Sequence, residues 1–299
     1  MTVLASSRVE AESEKALSVA AWAAILAASG LVEIVWRLVL GRPESVWIAV
    51  IQLCALLTLF VLVRIWNAVE ALTPLVTALA ALNAGFVVLF LLERTMGFTA
   101  WSDRGPQYEV VPAESALLCL PTLAMLAAAF GYGLRRRELF LTAGSVRAPS
   151  RIPGTSRRVA WNRVGPVAIV VFAIPLCVQL ALTTHTHVHS LLRVGEFLPL
   201  GVAFAAANAL QEELRFRAVP LALAVPVVGG ERAIWMTATA FGLAHWFGHP
   251  RGPSGVALTI VAGLFLAKAM LETRGLFWPW AIHAVQDVLI FAFLVLASG

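Results

Sequence analysis

The chain has 299 residues, 60% hydrophobic and only 13% charged, with a mean hydropathy of +0.85. Its apolar runs are too long and too many for a water-soluble core, which excludes a soluble enzyme or binding domain and leaves a polytopic helical membrane protein. The formal net charge of +5 does not signal nucleic acid, because the positive charge collects in one loop between apolar runs, where it reports orientation in a bilayer.

In chain order, the polar start Met1–Lys15 lacks the short apolar region and small-residue cleavage site of a signal peptide, and leads into a retained first span. Nine apolar runs follow: Ala16–Leu40, Ser45–Val63, Ala71–Leu92, Ser115–Leu134, Gly165–Thr183, Leu198–Val227, Glu231–Phe247, Ser254–Leu271 and Leu276–Ala297. The expected fold is an all-α polytopic membrane protein of about eight or nine transmembrane helices, with the chemistry-bearing helices in the C-terminal half. Residues 1–147 read as an N-terminal group of about four helices, 148–164 as a basic, flexible linker, and 165–299 as the C-terminal core. Glu33 and Arg37, four apart on the first span, are expected to pair. Cys54, Cys119 and Cys177 all lie in apolar runs and read as small core residues without a disulfide framework.

Between the fourth and fifth runs stand Arg135, Arg136, Arg137, Arg147, Arg151, Arg157, Arg158 and Arg163 against one acid, Glu138. The positive-inside rule places this loop in the cytoplasm. Counting outward puts Met1 inside and Gly299 outside. The mixed-charge segment from Arg94 to Glu114 then falls outside.

The stretch around which the C-terminal half is organised is Ala207 to Arg217, Ala-Asn-Ala-Leu-Gln-Glu-Glu-Leu-Arg-Phe-Arg, inside an apolar run. Charges in hydrocarbon cost several kcal/mol each unless they pair, face a wet cavity or do chemistry. Glu213 and Arg217 are neighbours on one helical face, and their pairing leaves Glu212 pointing about 100° away as a spare carboxylate. Two further polar points follow in later spans. Phe241-Gly242-Leu243-Ala244-His245 ends one, and His283-Ala284-Val285-Gln286-Asp287 puts a histidine and an acid on one face of another. Polar contacts between membrane helices are worth only about 0.6 kcal/mol on average, so packing alone is a weak reason for so many ionisable groups.

The ordered set Glu-Glu-x-x-Phe-Arg, Phe-x-x-x-His and His-x-x-x-Asp resembles the CPBP family, the CAAX-protease and bacteriocin-processing (Abi) intramembrane endopeptidases, over about Leu198 to Ala297. The resemblance implies a bacterial inner or plasma membrane protein that hydrolyses a peptide bond of a membrane-embedded protein or peptide without a cofactor. It makes Glu212 the catalytic glutamate, Glu213 and Arg217 a supporting pair and Phe241 part of the motif. His245 helps Glu212 activate water, and His283 and Asp287 steady the oxyanion. The family most often has Asn where Asp287 stands, and often Gly where Ala218 stands. An ionised Asp287 cannot donate a hydrogen bond, so it is either protonated or orients His283.

The residues support the same chemistry on their own terms. Peptide hydrolysis needs an activated water and a stabilised oxyanion, and a carboxylate desolvated by apolar neighbours is a competent base near neutrality. Three other readings stay open. Glu212, His245 and His283 are donor types for a zinc site, though the arginine beside the glutamates opposes a dication. A transporter also holds ionisable groups at mid-membrane, but repeated halves are not visible. The third is a non-catalytic scaffold or bacteriocin-immunity-type protein of the same fold. His185, His187 and His189 read as surface residues of an outer loop. Counted along the helix rise, His245 lies about 10 Å further out than Glu212 and His283, less if its helix begins near Trp235.

Overall fold

In a computed structural model, the residues described are 2–151, 154, 156–183 and 191–297. The three histidines at 185, 187 and 189 lie outside them. The apolar runs form helices, as expected, with a break at Ala28–Gly30 and irregular ends at some runs. In the N-terminal part, α1 (Thr2–Ala27) is followed by α2 (Leu31–Ile34) and its π-helical continuation Val35–Val39, then by α3 (Val46–Ile65) and α4 (Thr73–Glu93). Helices α5 (Met96–Ser102), α6 (Gln107–Leu117) and α7 (Cys119–Gly131) complete it. The C-terminal part comprises α8 (Trp161–Thr183), α9 (Leu191–Glu213), α10 (Val219–Val228), α11 (Gly230–Ala244), α12 (Gly252–Thr273) and α13 (Phe277–Ala297).

Against nine expected spans, six helical stretches among the described residues are long and apolar enough to cross a membrane, or seven if a pair bent by 58° at Ala28–Gly30 counts as one. The bend replaces the single first span read from the sequence. Ser29 Oγ donates to the Leu26 carbonyl and accepts from the Leu31 amide, and a Cβ at Gly30 would overlap the Leu243 carbonyl. Helices α9, α10 and α11 are not among the six. The expected span Leu198–Val227 is instead the end of α9, a π-helical turn Leu214–Ala218, and α10.

Helix ends sort onto two faces. The Ser145 amide donates to the Thr273 carbonyl, Trp278 Nε1 donates to the Val146 carbonyl, and Thr77 shares a hydrogen bond with Tyr132. These contacts gather the starts of α4 and α13 and the ends of α7 and α12 on the arginine-rich side. On the opposite face Arg193 donates to Tyr108, and Gln179 donates to the Arg251 carbonyl, joining the starts of α9 and α6 and the end of α8 to the start of α12.

The arginine-rich segment is more ordered than the flexible linker read from its composition. Strand β1 (Pro149–Arg151) pairs antiparallel with β2 (Arg158–Ala160), and α8 begins at Trp161, four residues earlier than expected. Lys268 Nζ on α12 donates to Ser150 Oγ at 2.7 Å and to Glu272 at 2.8 Å, and Trp161 Nε1 donates to Glu272 at 2.9 Å. The hairpin is therefore fastened to α12 by a short polar network.

The two halves share one core. Ala21, Leu56, Leu75 and Met125 belong to the same buried cluster as Ala218, Leu221, Met236 and Met270. Close packing here means that the N-terminal helices can position the C-terminal ones. None of the three cysteines is buried in this core. Cys54 is exposed and the other two are half-buried, because apolar runs facing lipid leave one side uncovered.

Candidate active site

Three elements supply the site: the end of α9 with its π-helical turn, the end of α11, and α13 from its first third to its middle. Single π turns rotate successive side chains out of the regular helical phase. Here the turn begins directly after Glu213 and carries Arg215, Phe216 and Arg217.

Glu213 and Arg217 form the expected ion pair, and both are almost wholly buried (0% and 1% exposed side chains). Glu213 does more than neutralise Arg217. Its Oε1 also lies 2.8 Å from His283 Nδ1, which donates to it. Glu212, expected to be a spare carboxylate, has two positively charged or chargeable neighbours. Arg215 Nη2 is 3.5 Å from its Oε1, and His283 Nε2 is 3.5 Å from its Oε2. Both glutamates thus converge on one imidazole, because α13 packs along α9 and spans the angle between two consecutive side chains. Glu212 keeps 12% of its side chain exposed, and its Oε2 has no hydrogen-bond partner.

His283 Nε2 is also 3.6 Å from Asp287 Oδ1 on the same helical face. Asp287 accepts from Asn208 Nδ2 at 3.0 Å. Gln211 Nε2 donates to Asn208 Oδ1 at 3.1 Å, and Thr122 Oγ1 on α7 donates to Gln211 Oε1 at 3.3 Å. This relay runs from the N-terminal half through α9 into the site.

His245 follows the last residue of α11, and its Nδ1 lies 2.9 Å from the Phe241 carbonyl. A carbonyl only accepts, so Nδ1 carries hydrogen, and in the neutral ring Nε2 keeps its lone pair. Phe241 stands between the two histidines, 4.5 Å from His245 and 5.6 Å from His283 between ring centroids. The Arg217 guanidinium lies 4.1 Å from the same ring, and Phe216 lies against it at 5.3 Å. The depth mismatch read from the sequence does not keep His245 away, although α11 begins at Gly230 and not near Trp235. Rise along a helix converts to depth only for an untilted helix.

His245, His283 and Asp287 line an apolar cleft between α8, α12 and α13, walled by Phe172, Leu176 and Leu266. Glu212 is not in its wall and meets it at His283 Nε2. On the other side of the π-helical turn, Arg215 and Phe216 face a second cavity between the two halves. Among the described residues, no group of three or more His, Cys, Asp or Glu is placed to hold a metal ion.

The sequence reading missed Asn208, Gln211, Thr122 and Arg215. Asn208, Gln211, Glu212 and Arg215 stand at i, i+3, i+4 and i+7, a polar stripe down one face of an otherwise apolar helix. That periodicity was the available signal.

Residues 194–289, roughly a third of the chain, match the family model described as type II CAAX prenyl endopeptidase Rce1-like. The matched stretch contains every polar site residue above except Thr122. No curated protein and no solved structure matches the chain.

Proposed function

On the premise that residues 194–289 belong to the CAAX-protease family, we propose that the chain is an intramembrane endopeptidase in which Glu212 activates water against a peptide carbonyl of a membrane-embedded substrate. Glu212 takes a proton as the water oxygen bonds to the carbonyl carbon. The carbonyl oxygen becomes an oxyanion, to which His283 Nε2–H donates. Collapse breaks the C–N bond. The leaving amine receives the proton that Glu212 took, directly or through His245 Nε2.

The observation that carries this reading is the unequal burial of two adjacent glutamates. Glu213 is closed in by Arg217 and His283 with none of its side chain exposed, whereas Glu212 keeps 12% of its side chain exposed beside His283. Glu213 then holds His283 in place, and Asp287 orients it from the other nitrogen. The apolar cavity takes the hydrophobic part of the substrate, with His245 and His283 at its wall. The arginine-rich hairpin faces the cytoplasm, as does the N-terminus. Because Arg215 and Arg217 are committed to the two glutamates, water activation needs no dication in this scheme.

The rival reading is a non-catalytic scaffold. Comparing the termini of membrane proteins in cells carrying the parent chain or Glu212→Gln separates the two. The protease reading expects C-termini present only with the parent chain. Identical termini in both would leave the scaffold.

A further inference from the structure

The second cavity is a vestibule of about 600 Å³ between the N-terminal helices and the end of α11, on the face opposite the arginine-rich loop. Its walls carry Glu33, Glu44, Glu93 and Glu114, and its lining includes Arg215 and Phe216. Glu44 and Glu114 are exposed, Glu33 and Glu93 half-buried, and the Arg215 side chain only 8% exposed. The carboxylates therefore stand towards the mouth and the guanidinium at the closed end.

Arg37 is shared between Glu33 at 2.8 Å and Glu44 at 3.4 Å. Glu93 and Glu114 have no ion pair among the described residues, so the mouth keeps a negative excess. At the inner end Arg215 lies against Phe216, with 4.5 Å from guanidinium carbon to ring centroid, and reaches Glu212 through one Nη. Its buried Nε has no hydrogen-bond partner. An unsatisfied buried donor is costly, and an acceptor oxygen arriving there recovers that cost.

The acids are spread around the vestibule, and among the described residues none converge to hold an ion. An extended cationic ligand fits this pattern better than a metal. We propose that the vestibule is the subsite for a polar, positively charged stretch of the peptide substrate, with Arg215 holding an acceptor oxygen of that stretch beside Glu212. This rests on the protease reading above for the word substrate, but the binding it asserts can be measured without cleavage.

The test uses the full chain in nanodiscs and three labelled peptides that share one apolar segment and differ in a neighbouring Lys-rich, Gln-rich or Glu-rich stretch. Binding is measured on Glu212→Gln protein, and cleavage on the parent. The Lys-rich peptide is expected to bind about tenfold more tightly than the Gln-rich one, with the gap closing at high salt. Adding Glu93→Gln and Glu114→Gln removes the preference, and Arg215→Lys weakens all three peptides alike. Equal binding of the three peptides, or a preference that survives the double substitution, overturns the proposal. A charge preference in binding without any cleavage by the parent sinks the protease reading and leaves the vestibule standing. Cleavage without a charge preference does the reverse.

Discussion

His283 Nδ1 and Arg217 meet at the same oxygen of Glu213, with the imidazole nitrogen 2.8 Å away. One buried carboxylate thus ties α13 to the π-helical turn after α9 and fixes which nitrogen of His283 faces Glu212 and Asp287. Removing one partner of a buried pair leaves the other uncompensated, a loss of about 3–5 kcal/mol. Glu213→Ala is expected to lower the yield of folded protein and its melting temperature together with any activity. A Glu213→Ala variant that melts like the parent would show that this oxygen ties nothing.

Asn208 and Asp287 form the second link between α9 and α13. Asn208→Ala leaves the buried Asp287 without that donor, at about 1–3 kcal/mol, and Asp287→Leu leaves the half-buried Asn208 without its acceptor at a smaller cost. Changing both removes the contact once, so the double variant is expected to fall short of the sum by about 0.5–3 kcal/mol. Additive losses in a melting cycle would contradict the hydrogen bond. Asp287→Asn keeps an acceptor for Asn208 and is expected to be milder than Asp287→Leu in both stability and activity.

The N-terminal half sets the position of His245 through Gly30, whose Cα packs against the Leu243 carbonyl two residues before that histidine. Backbone has no rotamer with which to give way. Gly30→Ala is expected to cost about 1–3 kcal/mol by overpacking and to lower activity with it. Gly131→Ala, which meets nothing within 4 Å, is the control and is expected to melt with the parent. Equal melting of the two variants would mean that the bend at Gly30 is not pressed against α11.

Orientation is testable at Arg136, which is exposed in the arginine-rich segment, whereas Ser150 is 2% exposed and bonded to Lys268. With the native cysteines replaced, Arg136→Cys is expected to react with impermeant thiol reagents only in inverted vesicles. Reaction in intact cells would invert the topology.

Helix identity, the Glu213–Arg217 and Glu33–Arg37 pairs and the three polar points were legible because spacing and hydropathy encode them directly. The neighbours of Glu212 were not. Treating the glutamates as one paired and one spare overlooked Arg215, which stands at i+3 from Glu212 and shares its charge, whereas His283 arrives from α13, a contact that spacing along the chain does not encode. The bend at Ala28–Gly30 was hidden for a similar reason. Apolarity runs straight through it, and what breaks the helix is local bonding by Ser29 and a tertiary contact to α11. The hairpin at Pro149–Ala160 looked like a linker because its strands are three residues long and are held by Lys268 and Glu272, more than a hundred residues later.

The central claim is that Glu212 carries the chemistry without carrying the fold. Gln keeps the shape and an acceptor oxygen but cannot take a proton from water. The most direct measurement pairs single-turnover cleavage of a membrane-embedded peptide with thermal melting for the parent and Glu212→Gln in the same nanodiscs. The account predicts cleavage reduced by about 10²-fold or more, the size of a general-base contribution, with a melting temperature close to that of the parent. Near-parental cleavage by Glu212→Gln would contradict it.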